Sequence, residues 1–131
     1  MADSDTKIRV GTTVWHRTGD AGYLDGSGRL WLLGRCSARV VDSHGAVYPF
    51  AVECAALTIT GVRRSALVSL RGRRVLVVEL ERTAGDVRAA LLARLAWAFI
   101  ADVMVVASLP VDRRHNAKID YPALKALIDR R

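Results

Sequence analysis

The feature that most constrains the fold is a pair of β-forming runs, Val62–Leu70 and Val75–Leu80, joined through Arg71-Gly72-Arg73. Runs of that composition with a short glycine-containing connection read as an antiparallel hairpin. Downstream, Asp86 can cap a helix whose apolar face is Val87, Ala90, Leu91 and Leu95, residues at helical spacing. Val103-Met104-Val105-Val106 is an apolar run of strand length ended by Pro110, although periodicity alone also allows a buried helical continuation. A polar loop from Asp112 to Lys118 leads to Asp120 as a second N-cap. Pro122 then sits in the first helical turn, and Leu124, Leu127 and Ile128 form the buried stripe.

Upstream, shorter strands are broken by glycine. Val14–Arg17, Tyr23-Leu24 and Leu30–Leu33 read as a β-meander, and Asp25-Gly26-Ser27-Gly28 supplies residues that tolerate the positive φ of a tight turn. After Gly34 come a brief strand, Arg39–Val41, a turn at Ser43-His44-Gly45 and a short helix from Pro49 to about Leu57. The proline suits a helix start, where its missing N–H would be unsatisfied anyway. The expected architecture is α+β: a small mixed sheet with about three helices, preceded by a β-hairpin or meander and a hinge, with the seam between Gly34 and Ser37.

At 131 residues the chain is one domain or little more, able to bury roughly two-thirds of the surface its unfolded form exposes. By themselves these residues are not expected to make a large two-lobed enzyme. The longest apolar stretch, Leu91–Ala107, is interrupted by Arg94 and Asp102 and falls short of the roughly 20 apolar residues of a bilayer span. Met1-Ala2-Asp3-Ser4-Asp5 is acidic and lacks the basic opening and apolar centre of a secretory signal. The expectation is therefore a cytoplasmic protein with no membrane partner. Cys36 and Cys54 are isolated and no histidine stands at metal-ligand spacing, so neither a disulfide framework nor a metal site is expected. Both cysteines read as small reduced core or hinge residues.

The net charge of +7 comes from 20 basic against 13 acidic residues. Arginines cluster at Arg63-Arg64, Arg71-Gly72-Arg73-Arg74, Arg113-Arg114 and Arg130-Arg131. Such doublets could follow a phosphate backbone. No aromatic residue is interleaved with them to stack on bases, so they read as solvated turns and chain ends, and nucleic acid is not the expected partner.

No serine has a Gly-x-Ser-x-Gly setting and no glycine-rich loop ends in Gly-Lys-Ser/Thr. His16, His44 and His115 are scattered and read as hydrogen-bonded or exposed, and Glu53 as a solvated or capping carboxylate. Two polar clusters stand on turns or loops instead. In Arg17-Thr18-Gly19-Asp20 the glycine lets the backbone turn so that a carboxylate projects beside it, able to accept hydrogen bonds from a vicinal diol such as a ribose. Arg113-Arg114-His115-Asn116-Ala117-Lys118-Ile119-Asp120 is a basic loop between a buried strand and a capped helix, a place where function concentrates. Taken singly, Asp20 could equally be a turn residue and Lys118 a surface lysine.

Together the clusters carry a resemblance. Val14-Trp15-His16-Arg17-Thr18-Gly19-Asp20-Ala21-Gly22-Tyr23-Leu24-Asp25, with Gly28-Arg29-Leu30-Trp31 and Leu33-Gly34-Arg35, resembles the end of the large lobe and the hinge of adenylate-forming enzymes. These are the acyl-CoA synthetases, peptide-synthetase adenylation domains and luciferases. Asn116-Ala117-Lys118-Ile119-Asp120 is similar to their late Asn-Gly-Lys-Ile/Val-Asp motif. The resemblance implies residues 1–35 as the end of the large lobe plus hinge and 36–131 as the small carboxyl-terminal lobe. It implies that Asp20 holds the ribose hydroxyls of ATP, that Arg35 helps to hold the nucleotide, and that Lys118 is the catalytic lysine of adenylation. The rotation between half-reactions would occur at Cys36 and Ser37. Magnesium is expected with the ATP.

Departures refine the picture. The family's Arg-Ile-Glu-x-x-Glu-Ile-Glu segment survives only as Gly45, Pro49 and Glu53, which counts against CoA as an acceptor. Pro110–Lys118 with Val47-Tyr48-Pro49 looks closer to β-lactone synthetases of olefin and β-lactone pathways, which adenylate a β-hydroxy acid whose own hydroxyl displaces AMP. The phosphate-binding loop, the adenine-binding motif and the acyl pocket of the family all lie upstream of the first match. The implied partner is thus a large adenylation lobe, separate or in a longer chain, together with a carboxylic acid substrate. An alternative is a noncatalytic interaction module that kept the small-lobe fold. Apolar surface left by a missing lobe would favour self-association.

Overall fold

The computed structural model describes residues 6–114 and 118–130. His115, Asn116 and Ala117 of the basic loop lie outside the described residues.

The amino-terminal part is two separate hairpins. β1 (Lys7–Val10) pairs antiparallel with β2 (Thr13–His16), and β3 (Asp20–Leu24) with β4 (Leu30–Arg35). This corrects the meander: Trp15 stands opposite Ile8, whereas Tyr23 stands opposite Trp31. Gly11, with φ of 61°, turns the chain back on Lys7–Val10, so β2 has its partner before the chain reaches β3. The expected turn at Asp25 is present. The Asp25 carboxylate accepts hydrogen bonds from the backbone of Ser27 and Arg29, the Arg29 side chain and the Trp31 indole. The indole contributes most to holding this carboxyl at about 2.

A second small hairpin, β5 (Val40–Asp42) and β6 (Gly45–Val47), precedes α1 (Pro49–Ala56). Then come β7 (Val62–Leu70) and β8 (Arg73–Leu80), antiparallel across the two-residue turn Arg71-Gly72. Both turn residues have positive φ, the arrangement whose twist matches a hairpin. α2 (Arg88–Arg94), β9 (Asp102–Val106) and α3 (Tyr121–Ile128) complete the chain. β9 lies parallel to β8, giving a mixed three-stranded sheet in the order β7-β8-β9.

β8 explains the layering. Successive strand residues point to opposite faces: Leu76 and Val78 pack with Val52 and Ala56 of α1 and Leu91 of α2, while Val75 and Val77 pack with Leu124 and Ile128 of α3. Covered on both faces, the central strand is apolar throughout Val75–Val78, as a doubly covered sheet requires. Two helix faces differ from expectation, since Ala90 and Leu127 are exposed. The buried stripes are narrower: Val87, Leu91 and Leu95 on one side, Leu124 and Ile128 on the other. Asp120 caps α3 by accepting from the Ala123 N–H at 3.0 Å, and Asp86 accepts from the Arg88 N–H at 2.9 Å.

Arg74 corrects the reading of its cluster as solvated. Buried, it donates to both Asp42 carboxylate oxygens at 2.7 Å and to the carbonyls of Gly45 and Ala98. This fork ties the β5–β6 hairpin to the sheet, a geometry that suits guanidinium.

Candidate active-site cleft

A cleft of about 1210 Å³ lies between the end of β4, the outer face of α1, the start of β7 and the chain leading into α3. Among its lining residues are Arg35, Glu53, Arg63, Arg64, Lys118 and Tyr121. Arg35 and Lys118, far apart in sequence, therefore face one space.

Each is positioned by backbone structure. Gly19 adopts φ of 79°, and its carbonyl accepts the Cys36 N–H at 2.9 Å. This seats the Thr18–Asp20 corner against the end of β4. There the Arg35 guanidinium donates to the Thr18 carbonyl at 2.7 Å and to Asp20 Oδ1 at 3.2 Å. Asp20 is exposed and its Oδ2 takes no bond from another described residue. Cys36 and Ser37 form a 3-10 turn that leaves β4, and both are exposed. Cys54 is exposed too and lines the cleft, which corrects its reading as a core residue.

The base of the basic loop is closed by an isolated bridge between Val111 and Ile119. The Asp112 N–H donates to the Lys118 carbonyl and the Asp120 N–H to the Pro110 carbonyl. Lys118 thus has a fixed backbone and an exposed side chain, and its ammonium pairs with no carboxylate among the described residues.

Glu53 is a further correction, being neither solvated nor a cap. Its carboxylate accepts the Leu67 N–H of β7 at 3.0 Å and the Tyr121 hydroxyl of α3, while Ser65 Oγ donates to its carbonyl. One side chain thereby joins α1, the outer edge of β7 and the first turn of α3. Burial raises its pKa, partly offset by these two donors. Burial, then the bond to Glu53, raises that of Tyr121.

Sequence reasoning also missed Arg63 and Arg64 as cleft residues. The doublet was visible, but it lies in strand β7 rather than a turn. Its partner is the buried Glu79, 4% exposed, whose carboxylate lies 3.3 Å from Arg63 and 3.2 Å from Arg64. Of the histidines, His44 stacks on Phe99 and His16 is exposed, both outside the cleft.

No family model matches the chain. It is 42% identical to the olefin β-lactone synthetase of Stenotrophomonas maltophilia strain K279a over 119 residues, which cover 82% of this chain and 22% of that protein. The chain therefore spans about a fifth of the length of that curated relative. Among solved structures it resembles the amide bond synthetase McbA from Marinactinospora thermotolerans, with a TM-score of 0.73 and 25% identity over 86% of this chain and 25% of the other. It also shares its fold with O-succinylbenzoate coenzyme A synthetase from Bacillus subtilis, solved in complex with AMP. The TM-score there is 0.69 at 23% identity, covering 85% of this chain and 24% of that one.

Proposed function

Since the chain belongs to the adenylate-forming superfamily, matched over its small carboxyl-terminal lobe, we propose that it supplies Lys118 to the ATP-dependent activation of a carboxylic acid as acyl-AMP. Residues 36–131 form the mobile lobe in this reading, and residues 1–35 the end of the large lobe and the hinge.

The chemistry follows from charge. When a carboxylate attacks the α-phosphorus of ATP, negative charge accumulates on the entering oxygen and the phosphoryl oxygens. An ammonium delivered between them stabilises the transition state more than the separated reactants. Lys118 is suited to this because its backbone is held at the closed loop base while the residue is exposed and lines the cleft. Asp20, oriented by Arg35, offers its remaining carboxylate oxygen to the ribose hydroxyls. Arg35 keeps donors beyond Nη1 for the nucleotide. Rotation at Cys36 and Ser37 would then withdraw Lys118 for the second half-reaction. Among the described residues no group of three or more His, Cys, Asp or Glu could hold a metal ion, so magnesium arriving with ATP would not be caged by them.

The similarity to an olefin β-lactone synthetase supports a β-hydroxy fatty acid as substrate, with its own hydroxyl displacing AMP. The partner in this reading is a large adenylation lobe, in trans or in a longer chain. The observation that carries the proposal is the exposed Lys118, without a carboxylate partner among the described residues, on the same cleft as Arg35. Carboxylate-dependent ATP–pyrophosphate exchange is expected only with a large lobe present. Lys118→Ala should slow it by about 10²–10³-fold, the usual cost of losing a group that stabilises transition-state charge. Exchange at the unaltered rate in that variant would refute the proposal.

A further inference from the structure

Neighbouring residues of a regular strand project to opposite faces, yet Arg63 and Arg64 both reach Glu79 and both line the cleft. The cause is a register shift in β7: Val62 pairs with Leu80 and Arg64 with Glu79, leaving Arg63 as the extra residue. A bulge of this kind re-aims a side chain. Glu79 is itself pinned, its Oε2 accepting the Leu109 N–H at 2.9 Å. A buried, anchored carboxylate thus clamps two guanidiniums, one negative charge against two positive.

Each guanidinium presents five N–H donors in a planar fork. Among the described residues the hydrogen bonds to Glu79 come from Arg64 Nη1, and Arg63 adds an ion pair, so Nε and Nη2 of both arginines donate to no described residue. Two adjacent forks with one unmatched positive charge match a bidentate oxyanion partner. Lys118 on the same cleft adds a further cation, so the arrangement suits a multiply charged anion better than a single carboxylate.

We infer that Arg63 and Arg64, brought to one side by the bulge and clamped by Glu79, bind a diphosphate group, the β- and γ-phosphoryls of ATP that leave as pyrophosphate. The identity of the diphosphate rests on the proposed adenylation, whereas the oxyanion site does not. Holding the leaving group would draw charge away from the reacting phosphorus as its bond to the bridging oxygen breaks. The electron pair of that bond departs with the pyrophosphate.

Calorimetric titration of the full chain with inorganic pyrophosphate tests this. One equivalent should bind, and Arg63→Gln/Arg64→Gln should weaken binding by at least about tenfold, as expected for charge-assisted forks. Arg82→Gln/Arg94→Gln removes the same charge from exposed positions outside the cleft and should leave the affinity nearly unchanged. Arg63→Gln alone, at a residue 61% exposed, should fold normally and show a partial loss. Absence of binding, or equal losses in the two double variants, would overturn the site. Tighter binding of adenosine 3′,5′-bisphosphate would overturn the diphosphate assignment. Pyrophosphate binding and the effect of Lys118→Ala on exchange are separate readouts, so either can fail while the other stands.

Discussion

Glu53 shows how one side chain can organise a cleft. β7 is an edge strand, and an edge N–H left unpaired is both costly and a template for misassociation. The Glu53 carboxylate occupies the Leu67 N–H and at the same time receives the Tyr121 hydroxyl, three residues beyond Lys118. Glu53→Ala, which removes the acceptor of both donors, is expected to cost about 1–3 kcal/mol in urea denaturation. Glu53→Gln keeps an acceptor and removes the charge. Because burial raises the Glu53 pKa above 4.5, the folded chain retains this proton at a pH where the unfolded chain has lost it. The group's favourable contribution is therefore complete below about 4.5 and is lost as pH rises through the folded value. Wild type should lose stability relative to Glu53→Gln over that window. A difference that does not change with pH would contradict the assignment. Asp42 and Asp102 shift the opposite way, held down first by Arg74 and Arg88, but they occur in both proteins and cancel in the comparison. None of this was legible from the sequence: the two partners lie 14 and 68 residues further along the chain, and nothing local distinguishes Glu53 from a solvated helix carboxylate.

At the scale of elements, legibility followed the range of the interactions. α1, the β7–β8 hairpin and α3 carry their own signals: a proline at a helix start, β-forming runs about a glycine turn, and an aspartate cap. β1 and β6 carry little. Each is short, and each exists because a glycine turn, at Gly11 or Gly45, folds it onto its neighbour. Val103–Val106, ambiguous by periodicity, became a strand because β8 offered it a parallel partner. The bulge at Arg63 is a register shift against Leu80 and Glu79 across the hairpin and has no local signature. The junction of β4 with α1 is equally specific. Gly34 has φ of 115°, and a Cβ there would lie 3.1 Å from Phe50 Cβ. Gly34→Ala is expected to lose about 1–3 kcal/mol from the backbone conformation and to displace Arg35, its neighbour, from Asp20. Thermal denaturation tests the first effect, and nucleotide affinity in the presence of a large lobe tests the second.

At the scale of the whole molecule, three layers of α-helix, sheet and α-helix form a well-covered core, while the hairpins and the cleft present Trp15, Leu24, Leu30, Trp31, Phe50 and Leu57 to solvent. Apolar exposure of that extent marks association surfaces. Light scattering should give a mass above that of one chain, rising with concentration, and Trp15→Ser/Leu30→Ser should lower it. A mass of one chain at all concentrations would show these residues to be inert. No helix in the described residues is long and apolar enough to cross a membrane.

The central claim is that Lys118 meets the reacting acid and phosphate, and single-turnover formation of acyl-AMP tests it most directly. With a large lobe, ATP and a β-hydroxy fatty acid, Lys118→Ala should form the adenylate at least about 10²-fold more slowly, while Lys125→Ala, on α3, should match wild type. Adenylate formed at equal rates by all three proteins would contradict the account.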